Sequence, residues 1–336
     1  LGTARGLEAR LVPAAGFPLD LVPARGLRGA GAAGWLLGGA RLAAAVARAL
    51  GVLRRRRPQV VLGMGGYVSA PGALAARLLG LPLVIHEQNA VAGLANRLLA
   101  PLARQVLTAF PGVLGARGAR LTGNPVRPEI AALPPPEARL GEGRGPTRVL
   151  VLGGSQGARA LDEALPRALA GAPVTVRHQC GRGREEAVQR AYREAGVEAR
   201  VQPFIEDMAE AYGWAELAVA RSGALTVAEL AAAGLGAVLV PYPHAVDGHQ
   251  RRNAAYLEEA GAARVVEQAP GEGAPAEALG EALRGALGPL LGPAAAGRRL
   301  AMARAARALA RPRAAEAVAE ACLEAAGLAP AGEARG

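Results

Sequence analysis

The chain has 336 residues and no lysine: all 39 basic side chains are arginine, against 28 acidic ones, for a net charge of +11. Aspartate is nearly as rare. The only four are Asp20, Asp162, Asp207 and Asp247, and no two stand close enough to form an Asp-x-Asp metal motif. The two cysteines, Cys180 and Cys322, are far apart and match no metal-ligand spacing. That argues against a disulfide framework or a cysteine zinc site and fits a reducing compartment. Aromatic residues are 3% of the chain, which leaves few stacking platforms for single-stranded nucleic acid, so no nucleic-acid partner is expected. Long apolar runs are also missing. The weakly polar stretch Gly29–Ala40 is short and glycine-rich, whereas a spanning helix needs about 20 apolar residues. Arginines interrupt Leu1–Arg10, so no signal peptide is readable there.

What is present is globular: 51% hydrophobic and 20% charged residues. At about 150 residues per domain the length suggests two domains, each able to bury a core. A short apolar run, a Gly-rich or polar turn and an Ala-rich helical stretch recur along the chain, the signature of parallel βαβ units. In the first half Gln59–Leu62 leads through Gly63-Met64-Gly65-Gly66-Tyr67 to a helix over Ala70–Leu79. Leu83–Ile85 then leads through His86-Glu87-Gln88-Asn89 to a helix over Gly93–Arg104. The pattern restarts at Arg148–Leu152 and continues through Val174–Arg177, Leu217–Ala220 and Ala237–Val240. Between the halves, 131–147 carries Pro134-Pro135-Pro136 and several glycines and reads as a linker. Arg298–Ala326 reads as helical, with a frayed end beyond it.

In doubly wound α/β domains ligands sit outside the carboxyl ends of the strands, so chemistry is expected in the turns. Gly153-Gly154-Ser155-Gln156-Gly157-Ala158 suits a diphosphate: glycines let the backbone approach an anion, and the following helix offers free N–H groups. A tight turn alone would also need glycine. Arg221-Ser222-Gly223 with Ala224, Leu225, Thr226, Val227, Ala228 and Glu229 sits in the same kind of place. Thr226 with Glu229 fits a helix-capping box; alternatively Glu229 accepts hydrogen bonds from ribose hydroxyls. Pro241–Gln250, ending in Asp247, His249 and Gln250, suits sugar hydroxyls, as does His86–Asn89. His178, flanked by apolar residues, reads as a core histidine. Arg127, in Gly123-Asn124-Pro125-Val126-Arg127, is placed to meet phosphate charge.

Taken in order and spacing, Val61–Ser69, His86–Asn89, Gly123–Arg127, Gly153–Ala158 and Ser222–Glu229 resemble the MurG family of bacterial UDP-N-acetylglucosamine transferases over essentially the whole chain. The resemblance implies a GT-B fold, two Rossmann-like doubly wound parallel-sheet domains facing a central cleft. An acceptor and membrane-facing domain would span 1–130 and a linker 131–147. A UDP-N-acetylglucosamine domain would follow at 148–310, with a C-terminal helix over 311–336 returning toward the first domain. By position Asn89, Arg127, Ser155, Ile205, the segment Ala224–Glu229 and Gln250 match the family's donor-binding residues. Arg127 and Ser155 would hold phosphate, Ile205 the uracil, Glu229 the ribose, and Gln250 with Asn89 the sugar hydroxyls.

The implied activity is inverting transfer of N-acetylglucosamine to the C4 hydroxyl of the N-acetylmuramoyl group of undecaprenyl-pyrophosphoryl-MurNAc-pentapeptide (lipid I). The product is lipid II, made for peptidoglycan biosynthesis at the cytoplasmic face of the bacterial inner membrane. No tightly bound cofactor is implied, and cell-wall synthesis and division proteins would be partners. Family members begin with a strand and a Gly-Gly-Thr-Gly-Gly-His loop that supplies a proposed base. Leu1-Gly2-Thr3-Ala4 looks like the segment after that loop, so impaired activity is expected. Glu87 and His86 are the remaining strand-end candidates for a general base. Another GT-B enzyme acting on a UDP-sugar, a UDP-N-acetylglucosamine 2-epimerase, and a chain that binds the donor without turnover are the competing readings.

One more segment stands out. Trp35, Leu36, Leu37, Leu42, Val46 and Leu50 place apolar residues along a helical stretch, interrupted by Arg41 and Arg48 and closed by Arg54–Arg57. Such a segment suits an interfacial helix attracted to anionic lipid. An ordinary amphipathic helix packed on the first domain would look the same.

Overall fold

The computed structural model describes residues 1–4, 6, 8–23, 32–115, 118–140, 145–154, 157–269 and 276–328, without the side chains of 32–38 and 246. The chain divides into two compact units, Leu1–Gln88 with Ala92–Thr122 and Ala315–Gly336, and Asn89–Val91 with Gly123–Ala314.

The first unit runs α1 (Glu8–Ala14), α2 (Ala32–Arg56), β1 (Val61–Gly63), α3 (Ser69–Leu78), β2 (Leu83–Glu87), α4 (Leu94–Leu99), β3 (Gln105–Thr108) and β4 (Arg120–Leu121). The strands pair in parallel in the order β1-β2-β3-β4. Every residue of β2 is buried, as befits a parallel strand covered on both faces, where apolar residues run on without alternating. Ala49 and Leu53 of α2 pack with Ala75 and Ala76 of α3, and Val46 and Leu50 lie against the same cluster. That half of α2 is therefore an ordinary amphipathic helix on its own unit. The side chains of Trp35, Leu36 and Leu37 lie outside the described residues. Arg54–Arg57 are exposed, and Asp20 pairs with two of them, at 3.1 Å from Arg55 and 2.9 Å from Arg56.

The second unit runs α5 (Pro128–Ala131), α6 (Pro136–Arg139), β5 (Thr147–Leu152), α7 (Arg159–Leu169), β6 (Val174–Gln179), α8 (Glu185–Glu194), β7 (Glu198–Gln202), α9 (Met208–Trp214), β8 (Leu217–Ala220), α10 (Ala224–Ala233), β9 (Ala237–Leu239), α11 (His249–Glu259), β10 (Ala263–Val265), α12 (Ala276–Leu287) and α13 (Ala296–Ala308). Its six strands are all parallel, in the order β10-β9-β8-β5-β6-β7. Val149, Val151, Leu161, Leu165, Val176, Leu217 and Val219 are fully buried between sheet and helices. Each such aliphatic side chain contributes roughly 1.5–3 kcal/mol by leaving water.

Two boundaries differ from the sequence expectation. Residues 131–140 of the expected linker are not free of the second unit, because arginines fasten them there. Arg139 donates to the carbonyls of Pro134, Tyr212 and Gly234, and Arg307 to those of Ala131 and Leu133. The chain instead changes unit at Gly123, whose φ is +85° and where an added Cβ would lie 2.5 Å from Cβ of Arg311. The second difference is that Arg298–Ala326 is not one helix. Pro312, which has no N–H to donate, falls in the gap between α13 and α14 (Ala314–Ala326). Helix α14 belongs to the first unit, with Val318, Ala321 and Ala325 packed against Val84 and Leu107. Among the described residues no helix is long and apolar enough to cross a membrane.

Candidate functional site

In the second unit β6 and β7 lie on one side of β5, while β8, β9 and β10 lie on the other. The strand order therefore reverses between β5 and β8, the kind of switch point beyond whose carboxyl ends α/β folds bind ligands. Leu152 and Ala220 are register partners at those ends. The glycine turn after β5 and the turn Arg221–Gly223 after β8 thus stand side by side at that switch point.

The glycine turn is held from below. The Gly153 N–H donates to Gln179 O at 3.3 Å, and Gln179 Nε2 donates to Gly154 O at 3.1 Å. Gln179 Oε1 accepts the Ile205 N–H at 3.3 Å, so one side chain ties the turn to the segment carrying Ile205, which is buried. Gly157 has φ +71°, and a Cβ there would fall 2.1 Å from Cys180 O and inside the Arg184 guanidinium. Only glycine fits. Ser155 lies outside the described residues. Beneath the turn, buried Asp162 stands 2.9 Å from Arg184 Nη1 and 3.1 Å from His178 Nε2, and His178 Nδ1 is 3.0 Å from the Tyr192 hydroxyl. His178 is a core residue of this network.

Helix α10 starts at Gly223 with no side-chain cap. Its first-turn N–H groups, at Ala224, Leu225 and Thr226, have no intrahelical acceptor, and the helix dipole adds positive potential there. Val227 faces the core, whereas Leu225 is exposed. A capping box would need Thr226 at the N-cap, but the helix begins earlier, so Glu229 does not cap it. Glu229 Oε1 instead accepts from Arg127 Nη2 at 2.7 Å, and Oε2 accepts from the Tyr212 hydroxyl at 3.1 Å. Asn124 Nδ2 donates to Ala224 O at 3.3 Å, which places the Gly123–Arg127 motif against the start of α10.

Asn253 of α11, fully buried, completes the cluster. Its Nδ2 donates to Ser222 O at 3.1 Å and to Asn89 Oδ1 at 3.3 Å, while its Oδ1 accepts the Ala90 N–H at 2.8 Å. Gln250, in the first turn of α11, accepts the Tyr242 N–H on Oε1 at 2.9 Å. The site therefore gathers Ile205, Arg127, the α10 start, Glu229, Asn89 and Gln250 around the strand-end turns of one unit. Among the described residues no three His, Cys, Asp or Glu side chains converge as metal ligands.

The glycosyltransferase family 28 N-terminal domain matches residues 1–108, and the family's C-terminal domain matches residues 148–327. This chain belongs to glycosyltransferase family 28. The UDP-N-acetylglucosamine–N-acetylmuramyl-(pentapeptide) pyrophosphoryl-undecaprenol N-acetylglucosamine transferase of Nitrosococcus oceani is 58% identical over 268 residues, 78% of this chain and 75% of that one. The enzyme of the same name from Aeromonas hydrophila is 51% identical over 305 residues, 90% of this chain and 84% of that one. The crystal structure of MurG from Acinetobacter baumannii superposes with a TM-score of 0.79 at 36% identity, covering 96% of this chain and 89% of that one. The architecture, two parallel-sheet α/β units, is that of the GT-B fold.

The family 28 chain holds its two base candidates differently from its donor residues. His86 is fully buried and Glu87 is 2% exposed, both in β2. Glu87 Oε2 accepts the Gly93 N–H and Asn96 Nδ2, each at 2.9 Å, and Asn96 also donates to His86 O. Glu87 thus satisfies a free N–H at the start of α4. Gln88 Nε2 donates to Met64 O at 2.6 Å and pins the glycine turn after β1. A general base needs hydrogen-bond reach of the acceptor hydroxyl, and both candidates lie buried at the carboxyl end of β2. Three residues that organise the site were not picked out in the sequence. Asn253 stands three positions after Gln250, on the same helix face, and could have been found from that spacing. Gln179 and Tyr212 carry no local signal, because their roles arise from packing between distant segments.

Proposed function

We infer that this chain is a glycosyltransferase that moves N-acetylglucosamine from UDP-N-acetylglucosamine to the C4 hydroxyl of the N-acetylmuramoyl group of lipid I, yielding lipid II for peptidoglycan. The observation that carries this is 51% identity over 305 residues to an enzyme bearing that name. The acceptor oxygen attacks the anomeric carbon from the face opposite the diphosphate, the bond to the diphosphate breaks, UDP leaves with the electron pair, and the hydroxyl proton passes to solvent or to the departing diphosphate. Arg127 and the uncapped start of α10 meet that charge, the kind of fixed electrostatic stabilisation that is strong in a sheltered site. Glu229 takes the ribose hydroxyls, Ile205 lies along the uracil, and Gln250 with Asn89 faces the sugar. No metal ion enters this reading.

We also propose that the first unit meets the cytoplasmic membrane surface through Arg54–Arg57 at the end of α2. Each arginine near an anionic surface contributes about 1 kcal/mol, and salt screens it. Vesicles of phosphatidylglycerol should bind the chain at low salt and release it at high salt. Arg54→Gln with Arg57→Gln should lower the bound fraction; equal binding by that variant sinks the proposal.

The transferase reading is tested by product analysis. With UDP-N-acetylglucosamine and lipid I the chain should release UDP and form lipid II, and neither product should form without lipid I. Conversion of the donor to its 2-epimer without lipid I would make it an epimerase instead. UDP binding with no UDP release would leave it a donor-binding protein.

A further inference from the structure

Glu229 is gripped at both oxygens. Arg127, half-exposed, donates to Oε1 at 2.7 Å, and the Tyr212 hydroxyl, wholly buried, donates to Oε2 at 3.1 Å. A carboxylate offers about four lone-pair sites. One donor on each oxygen therefore fixes the plane of the group and leaves one acceptor site per oxygen. Two neighbouring hydroxyl donors on a ligand match that pair. Tyr212 is itself fixed: its ring is buried in α9, and its carbonyl accepts from Arg139 Nη1, whose other nitrogen donates to Gly234 O at the end of α10. The same arginine thus ties α9 to the helix that carries Glu229.

We propose that Tyr212, with Arg127, is a positioning residue that orients the Glu229 carboxylate to accept both hydroxyls of a ribose, and so sets the preference for a ribonucleoside diphosphate. This rests on the donor-site reading above. Burial first, and the Glu229 charge second, hold the Tyr212 hydroxyl well above the ordinary tyrosine range, so it keeps its proton and acts only as donor to the carboxylate. Tyr212 touches no ligand; it acts through Glu229.

The test compares UDP with 2′,3′-dideoxyuridine 5′-diphosphate by calorimetry on the whole chain. In the parent, UDP should bind more tightly, and the ratio of the two affinities reports the ribose hydroxyls. Tyr212→Phe removes only the hydroxyl and should lower that ratio about five- to tenfold, with dideoxy-UDP affinity changed less than about twofold. In a Glu229→Ala background Tyr212→Phe should change neither affinity further. Arg127→Met, altering a half-exposed side chain, is the second variant should Tyr212→Phe fail to fold; it should weaken both nucleotides through the shared diphosphate and must, beyond that, lower the same ratio. Equal losses for both nucleotides in these variants, or an unchanged ratio, overturn the proposal. If instead Glu229→Ala leaves UDP affinity intact, the donor-site reading itself has failed.

Discussion

Glu87 closes β2 in the first unit and Glu229 stands in the second turn of α10 in the second, and their surroundings differ in kind. Glu87 is 2% exposed and receives Gly93 N–H and Asn96 Nδ2 on the same oxygen, both from its own neighbourhood. The side chain of Glu229 keeps 15% exposure and takes one donor on each oxygen, from Arg127, 102 positions earlier, and Tyr212, 17 positions earlier. A buried carboxylate held on one oxygen by local donors organises a turn. A partly exposed one, oriented by distant donors, retains acceptor sites for something that arrives from solution.

The sharpest way to break the comparison is Glu87→Ala. It removes a charged acceptor from the buried Asn96 amide and from the Gly93 N–H, which should destabilise the first unit by about 3 kcal/mol. Denaturant melting should show that loss while UDP affinity stays as in the parent. Unchanged stability with at least about tenfold slower turnover would make Glu87 a base after all. Next in size is Glu229→Ala, which on the proposed reading removes a charged acceptor from two ligand hydroxyls. UDP and UDP-N-acetylglucosamine should both weaken by about thirtyfold, or about 2 kcal/mol, beside a stability loss of about 1 kcal/mol from the unpaired, buried Tyr212 hydroxyl. Intact nucleotide affinity would place Glu229 with Glu87 as a structural group.

Both glutamates were visible in the sequence because each lies at or just beyond a strand-end turn, and β5, β8 and the glycine turn were legible for the same reason. What decides between their roles was not. Whether Glu229 caps a helix or faces a ligand depends on where α10 begins, and Gly223 rather than Thr226 takes that place. Tyr212 and Gln179 act across the fold, so no local spacing reveals them. The stretch 131–147 misled because prolines and glycines read as a linker until Arg139 and Arg307, which cap its carbonyls, are placed beside it.

The contrast extends to alkaline pH. Tyr192 and Tyr212, both in the second unit, are held above the ordinary value of 10, by burial first and then by Asp162 and Glu229 respectively. The first unit's only tyrosine, Tyr67, is exposed. Below pH 10 the folded and unfolded chains both keep these protons, so stability does not depend on them. Above it the unfolded chain releases protons that the folded one retains, and stability falls by about 1.4 kcal/mol per pH unit for each tyrosine. Hydrogen exchange at rising pH should show the second unit loosening first, and Tyr192→Phe should flatten the fall. Equal loosening of both units would assign the effect elsewhere.

The smallest effect expected separates two residues inside the donor site. Gln250 turns its Oε1 toward the Tyr242 N–H at 2.9 Å, which leaves its Nε2 donors as the atoms that the proposed reading directs at sugar hydroxyls. On the proposed donor-site reading, Glu229 serves the nucleoside half of the ligand and Gln250 the sugar half. Gln250→Ala should therefore weaken UDP-N-acetylglucosamine about fivefold, or about 1 kcal/mol, and leave UDP within about twofold of the parent. Glu229→Ala, by contrast, lowers both together. Calorimetric titration of the two ligands into each variant distinguishes these patterns. Should Gln250→Ala weaken UDP and UDP-N-acetylglucosamine alike, its side chain serves to hold the loop at Tyr242 rather than to recognise the sugar. The division of the site into a nucleoside half and a sugar half would then have to be redrawn around Asn89, whose Oδ1 Asn253 holds at 3.3 Å.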